Sequence, residues 1–293
     1  MTESFSVLLD QTIGRLRAAG VASPEADAWS LLAAVTGVNR GELQAKALIR
    51  PDIIDAAQQA QLEQWVTRRE SREPLWHITG VAPFLELELE VGPGVFTPRP
   101  ETELLAHQAI AEAEVMVPTG SEVSVVDLCA GSGAIGLAIA HRVAHTRLLA
   151  VESSLDAAHY LRHNASRYAP ERSDILVADI ADVSQRVADH SVDVVVSNPP
   201  YLVEGVDPLD VETTQCDPPE ALFSPGEGLD VIRRVVDISR RILRPGGVVF
   251  IEHGIEHGEA TRQALGDAGF RHPQTELDLL GRERFSRAVA PEQ

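Results

Sequence analysis

The chain is poor in cysteine, in basic residues, in long apolar runs and in phosphate-loop signals. Only Cys129 and Cys216 occur in 293 residues. Two thiols so far apart make neither a disulfide framework nor a zinc site, and they fit a reducing cytosol. Lys and Arg number 25 against 44 Asp and Glu, a formal charge of −19. A protein that gains affinity by neutralising phosphates needs a basic surface, so nucleic acid is a disfavoured partner. No apolar run approaches the ~18 residues of a membrane span, so no membrane association is expected. The start, MTESFSVLLD, lacks a basic stretch followed by an apolar one, so no secretory signal is read. No G-K-[ST] loop exists to cradle a nucleotide triphosphate. What remains is an ordinary globular composition, 44% apolar and 24% charged, in a length that suggests two domains.

Residues 1–75 read as helical, with Val7, Leu8, Ile13 and Leu16, then Trp29, Leu31, Leu32 and Val35 at helical spacing. Ser23-Pro24-Glu25 is a helix-start signal, with Ser23 as N-cap. A third stretch, Asp52 to Arg72, carries Ile53, Ile54, Leu62, Trp65 and Val66. Between 84 and 96 the period changes to two. Leu85, Leu87, Leu89 and Val91 alternate with Glu86, Glu88 and Glu90, and Gly92-Pro93-Gly94 supplies a turn. This segment reads as a hairpin linker over 76–98, its glutamates a solvated face. From residue 99 onward strand-like runs at 123–128, 147–151, 175–178, 192–197 and 247–251 alternate with helical stretches near 101–116, 134–144, 155–168 and 228–243. Two further extended stretches follow around Gly281. The expected class is α/β, a doubly wound, Rossmann-like parallel sheet preceded by a small helical domain.

The strand VVDL runs into CAGSGAIG, where Gly131, Gly133 and Gly136 form G-x-G-x-x-G. Glu152 ends the next strand, 21 residues after Gly131, where an acid suits ribose hydroxyls. A dinucleotide would place its pyrophosphate on the helix N-terminus. S-adenosylmethionine would instead bring a sulfonium that prefers acids, and Asp127 stands just ahead of the loop. A ligand-free turn is the third reading. The glycines alone do not choose.

The fourth strand ends in Asn198-Pro199-Pro200-Tyr201, where ligands of open α/β sheets bind. Two prolines remove two N–H donors and leave carbonyl acceptors, and the Asn198 oxygen is another. Together they can hold both hydrogens of an NH₂, with Tyr201 against a planar group. Such a site suits N-methylation of an amide or aromatic amine, whose delocalised lone pair needs placement more than a strong base.

On these residues the chain resembles the release-factor glutamine methyltransferases, the bacterial HemK or PrmC enzymes. REPLWHITG at 72–80, VFTPRPETE at 95–103, DLCAGSGAIGLAIA, NPPY, PEALFSPGEGLD and LRPGGVVFIEHG follow in the family's order. The resemblance implies an S-adenosylmethionine-dependent methyltransferase domain over 99–293 and a substrate-recognition role for 1–75. It implies Asp127 and Cys129, Ala130, Gly131, Ser132 and Gly133 at the cofactor, Glu152 on the ribose, and Asp179 and Ile180 flanking the adenine. Asn198 would touch cofactor and substrate, Asn198, Pro199, Pro200 and Tyr201 would hold the glutamine, and Phe96, Thr97, Arg99 and Glu101 would close over the cofactor. Asn198, Pro199 and Tyr201 are the expected catalytic set. The implied substrate is the glutamine of the Gly-Gly-Gln loop of peptide-chain release factors, methylated on its side-chain nitrogen by a cytoplasmic monomer. A ribosomal-protein glutamine methyltransferase and an adenine-N6 nucleic-acid methyltransferase are the alternatives, the charge speaking against the latter. Two positions depart from the family. Cys129 stands where glycine is usual, which implies a backbone any residue can adopt there. Ile180 stands where an aromatic is frequent. His253-Gly254-Ile255-Glu256-His257 matches an inverted zinc-peptidase pattern, but Gly254 breaks the helix such a site needs, and no metal is expected.

Overall fold

The computed structural model describes residues 4–49, 54–117, 122–207, 210–278 and 280–292, so Asp52 and Ile53 lie outside the described residues. The chain divides into two compact units, residues 1–81 with 209–216, and residues 82–208 with 217–293.

In the first unit, helices α1 (Phe5–Ala18), α2 (Pro24–Thr36), α3 (Arg40–Ile49), α4 (Ala56–Glu70) and α5 (Leu75–Thr79) bury Leu8, Leu16, Leu31, Leu32, Leu62 and Val66 in one core. Their 3.6-residue spacing puts these side chains on one face of each helix. Ser23 precedes α2 but makes no capping hydrogen bond, because its ψ of 61° departs from the extended backbone that aims a hydroxyl at the first turn. Asp55 and Gln58 supply a complete capping box to α4. The buried Arg69 guanidinium donates to Asp27 at 2.7 Å and to Glu212, on the helix Val211–Cys216, at 2.8 Å.

In the second unit, β1 (Val81–Phe84) and β2 (Leu87–Glu90) form a two-stranded ribbon. The alternation through 84–91 predicts one strand, with the turn at Gly92-Pro93-Gly94. The structure turns at Leu85-Glu86 instead, with Leu85 at φ +51°. That turn holds none of the residues that mark turns in sequence.

The main sheet contains β3 (Val123–Leu128), β4 (Thr146–Glu152), β5 (Ser173–Val177), β6 (Val192–Ser197), β7 (Leu243–Glu252), β8 (Arg271–Leu277) and β9 (Glu283–Val289), in the spatial order β5-β4-β3-β6-β7-β9-β8. The pairs from β5 to β7 are parallel, and β9 joins β7 and β8 antiparallel. Successive strand residues face opposite layers. Val125, Val194, Val196 and Phe250 pack with Leu105 and Ala109 of α6 (Thr102–Met116), Leu137 of α7 (Ala134–Arg142) and Leu161 of α8 (Leu155–Tyr168). Val126, Val195 and Val249 pack on the other side with Ile232, Val235 and Val236 of the helix Asp230–Ile242. This is a doubly wound sheet whose strand order reverses between β3 and β6. The crevice beyond their carboxyl ends is where such sheets bind ligands.

Candidate active site

Two chain segments meet at that reversal. The first is the loop after β3. Cys129, Gly131 and Gly133 have φ of +61°, +56° and +87°. The expectation for Cys129 is therefore corrected. A thiol stands there, but in the left-handed backbone that favours glycine, at a cost of about 1–2 kcal/mol. Each glycine has its own reason. A Cβ on Gly131 would meet nothing within 4 Å, which leaves that face of the loop open. A Cβ on Gly133 would lie 2.6 Å from Leu137 and Leu161, and one on Gly136 2.8 Å from Asp127 and Leu148. The second pair keeps α7 close to the sheet. Ala130 donates its N–H to the Val151 carbonyl at 3.0 Å, and the Ser132 carbonyl accepts from Asn164 Nδ2 at 2.9 Å.

Glu152, at the tip of β4, accepts from the Gly131 N–H through Oε2 and from the Ser154 N–H through Oε1, each at 2.8 Å. The carboxylate retains further lone pairs. Asp127 lies beneath the loop rather than on its open face. It is 1% exposed and takes the Gly136 N–H at 2.9 Å. Its Oδ1 has no partner. Burial, reinforced by the Glu152 charge, lifts its pKa to about 7. Cys129 is pushed up to about 12, by burial and then by the charges of Glu152 and Asp127. That excludes a thiolate nucleophile. Neither Cys129 nor Cys216 is in a disulfide.

Beyond β5, Asp179 caps a short helical turn by accepting from the Ala181 N–H at 2.8 Å, and it pairs with Arg234. Ile180 is 6% exposed and belongs to the core with Val126 and Leu128. It forms an apolar floor rather than an exposed stacking face.

The second segment is the end of β6. Ser197 donates its hydroxyl to the Leu128 carbonyl at 2.7 Å, which joins the β6 tip to the β3 tip. Asn198 and Pro200 are half-buried and Pro199 is buried. The chain after the motif is fastened by backbone bonds from Tyr201 and Leu202 to the Leu222 carbonyl, and from Ser224 to the Leu202 carbonyl. Gly228 (φ +82°) backs it closely, since a Cβ there would lie 2.3 Å from the Tyr201 carbonyl oxygen. Burial, with the nearby Glu252 charge, raises the Tyr201 phenol well above its ordinary value, so it is neutral. Its ring meets His257 edge-on at 6.4 Å.

The VFTPRPETE segment lies in the same unit. Arg99 sits over the Phe96 ring at 5.1 Å and pairs with the buried Asp217 at 2.7 Å. Thr97 is buried, and Glu101 faces Arg282 at 3.4 Å. Sequence reading did not single out Glu252 or Arg284, both of which stand near the Tyr201 phenol. The signal for Glu252 was an acid closing the apolar run GGVVFIE. Arg284 offered none.

The histidines of the zinc-like pattern do not converge on a metal. His253 is fully buried between the Gly254 carbonyl and Ser286, with its pKa lowered to about 4 by burial. His257 Nε2 contacts the Glu227 carbonyl. Among the described residues, only the exposed Glu90, His159 and His163 gather ligand atoms within 4.8 Å of one another.

The fold, with the family matches to the same residues, makes this chain an S-adenosylmethionine-dependent methyltransferase. The PrmC N-terminal domain family matches residues 8–80, and the methyltransferase small domain family matches 101–244. A release factor glutamine methyltransferase of Streptomyces coelicolor is 44% identical over 285 residues, 95% of each chain. The chain therefore belongs to the release factor glutamine methyltransferase family. A 4-amino-L-phenylalanine/4-methylamino-L-phenylalanine methyltransferase of Streptomyces pristinaespiralis is 36% identical over 84% of this chain and 82% of its own. Among solved structures, the 16S rRNA N2 G1207 methyltransferase of T. thermophilus, in complex with AdoMet and guanosine, aligns with a TM-score of 0.50 at 24% identity. That match covers 72% of this chain and 49% of that one, and it shows the shared fold. No helix among the described residues is long and apolar enough to cross a membrane.

Proposed function

We infer that this enzyme transfers a methyl group from S-adenosylmethionine to the side-chain nitrogen of the glutamine in the Gly-Gly-Gln loop of peptide-chain release factors. The observation that carries the reading is Asn-Pro-Pro-Tyr held rigidly at the tip of β6, directly beside the glycine loop through the Ser197–Leu128 bond. The residues present fit the cofactor. Gly131 leaves an open loop face, Glu152 has acceptor capacity beside it, and the buried acid Asp127 supports the loop from below. Gly131, Glu152 and the loop backbone would hold S-adenosylmethionine, with Asp179 at its adenine end. When bound, the cofactor supplies an electrophilic methyl group.

The rest is the work of the protein. Asn198 Oδ1 and the Pro199 carbonyl accept the two amide hydrogens, which returns electron density to the nitrogen. Pro199 and Pro200 hold these acceptors still, and Tyr201 lies against the planar amide. Placement of the nitrogen accounts for most of the rate. The surplus proton leaves after transfer, so no strong base is needed. The same acceptor pair suits an aromatic amine, which the relative named for 4-amino-L-phenylalanine makes a specific second reading. A match over 95% of the chain, helical region included, favours the release factor. The charge of −19 supports a protein substrate over a nucleic acid.

The test is incubation with methyl-labelled S-adenosylmethionine and a release factor, with and without its Gly-Gly-Gln glutamine. Label is expected only where that glutamine is present. Label that persists after its replacement refutes the substrate, and label on 4-amino-L-phenylalanine alone establishes the second reading.

A further inference from the structure

Behind Asn198 lies a carboxyl group to which the reading above gives no role. Glu252 closes β7, and the β6–β7 register pairs Ser197 with Ile251, so Glu252 and Asn198 are the next residues along neighbouring strands. Glu252 is 2% exposed. Its Oε2 has no hydrogen-bond partner, and neither has Thr102 Oγ1 or Arg284 Nε. Burial is the largest influence on this carboxyl and raises its pKa to about 7. The Thr102 side chain, the Arg284 charge and the Asn198 side chain favour the ionised form, and the Glu101 charge opposes it.

We propose that Glu252 is a positioning residue that sets which way the Asn198 amide faces. An ionised carboxylate only accepts hydrogen bonds. The end of Asn198 turned towards it is therefore the NH₂, and Oδ1 is left for the substrate. A reversed amide would present a donor to the glutamine NH₂ and remove one of its two acceptors. The proposal rests on the glutamine N-methylation reading and adds the orientation of one of its acceptors.

The arrangement also gives a pH dependence with a definite sign. Glu252 is faced by Glu101 and Thr102 at the start of α6, by Asn198 and Tyr201 at the end of β6, and by Arg284 on β9. As pH falls through about 7 the carboxyl becomes neutral. Its hydroxyl can then donate to Oδ1, and the amide is free to turn.

The experiment compares Glu252→Gln with the unaltered full-length enzyme in single turnover on a release factor at pH 8. Methyl transfer is expected to fall about a hundredfold, the scale of losing one well-placed contact. Affinity for S-adenosylhomocysteine, measured by calorimetry, is expected to stay within about twofold. In an Asn198→Ala background the same change is expected to cost less than about threefold, because both act through one group. The unaltered enzyme loses rate as pH falls through about 7, and the glutamine variant does not. Equal loss in both backgrounds, or a rate for the unaltered enzyme that is flat from pH 6 to 8, overturns the proposal. If the glutamine variant fails to fold, a flat rate for the unaltered enzyme from pH 6 to 8 still overturns the proposal. An unaltered enzyme that leaves the glutamine unmethylated refutes the functional reading instead.

Discussion

In the helical unit the buried Arg69, 4% exposed, is flanked by Asp27 and Glu212 at 2.7 and 2.8 Å, so its charge is matched. At the tip of the sheet Asp127 and Glu252 are as deeply buried, and each keeps an oxygen without a partner. The first arrangement specifies geometry, since a buried ion pair holds its elements in one register once both charges have left water. The second costs stability, and such costs cluster where a site needs them. Of these buried charges, Arg69 with Asp27 and Glu212 is a matched set within the helical unit, whereas Asp127 beneath the glycine loop and Glu252 at the end of β7 each keep an unmatched oxygen.

The comparison breaks most severely at Arg69. Arg69→Ala leaves the buried Asp27 without its cation and Glu212 with Arg72 alone, and is expected to destabilise by about 3–5 kcal/mol, read in urea unfolding. Replacing all three residues with apolar ones should recover most of that loss. If Arg69→Ala costs nothing, the matched set is not holding the unit.

Asn198→Ala sits at the opposite pole. It should lower turnover by about a hundredfold or more, keep S-adenosylhomocysteine binding, and lower the melting temperature far less than Arg69→Ala does. Full activity in that variant would remove Asn198 from the chemistry.

Asp127→Asn sharpens the contrast through pH. The folded pKa of Asp127 is raised to about 7, above its unfolded value. The folded state therefore holds the proton over a range in which the unfolded chain has released it. Stability is lost as pH rises towards about 7, and Glu252 acts with the same sign. The asparagine variant should gain more in melting temperature at pH 8 than at pH 5. Equal gains would mean that ionisation of Asp127 is not what burial penalises.

The smallest effect is expected at Cys129. Glycine relieves the left-handed backbone but adds unfolded-state freedom, so Cys129→Gly should change stability by no more than about 1 kcal/mol. Cys129→Val, branched at Cβ, should lose about 1–2 kcal/mol. Thermal melts of the pair decide, and a valine as stable as the glycine would contradict the observed φ of +61°.

Much of this fold was legible because its elements are regular. The apolar runs at 123–128 and 192–197 became β3 and β6 with the same bounds, and the helical stretch 155–168 became α8. The two site segments were legible because their chemistry is local, in glycines that must turn and prolines that must not donate. What escaped was set by packing across the sequence. The turn at Leu85-Glu86 lacks turn residues because the folded ribbon tolerates a positive φ there. Asp127 reads like a cofactor acid until its carboxyl is placed under the loop on the Gly136 N–H. Ile180 belongs to the core because the chain after β5 folds back over Val126 and Leu128. Glu252 reaches Asn198 only through the β6–β7 register, which no single segment encodes.

The central claim is that the acceptors at the end of β6 direct a methyl group onto an amide nitrogen of a protein glutamine. Its most direct test is the chemical fate of the label after acid hydrolysis of the methylated release factor. An N-methylated glutamine amide hydrolyses to glutamate and methylamine, so the account predicts that the label is recovered as methylamine. Label recovered in an acid-stable amino acid, or in a base from nucleic acid carried with the substrate, would contradict it.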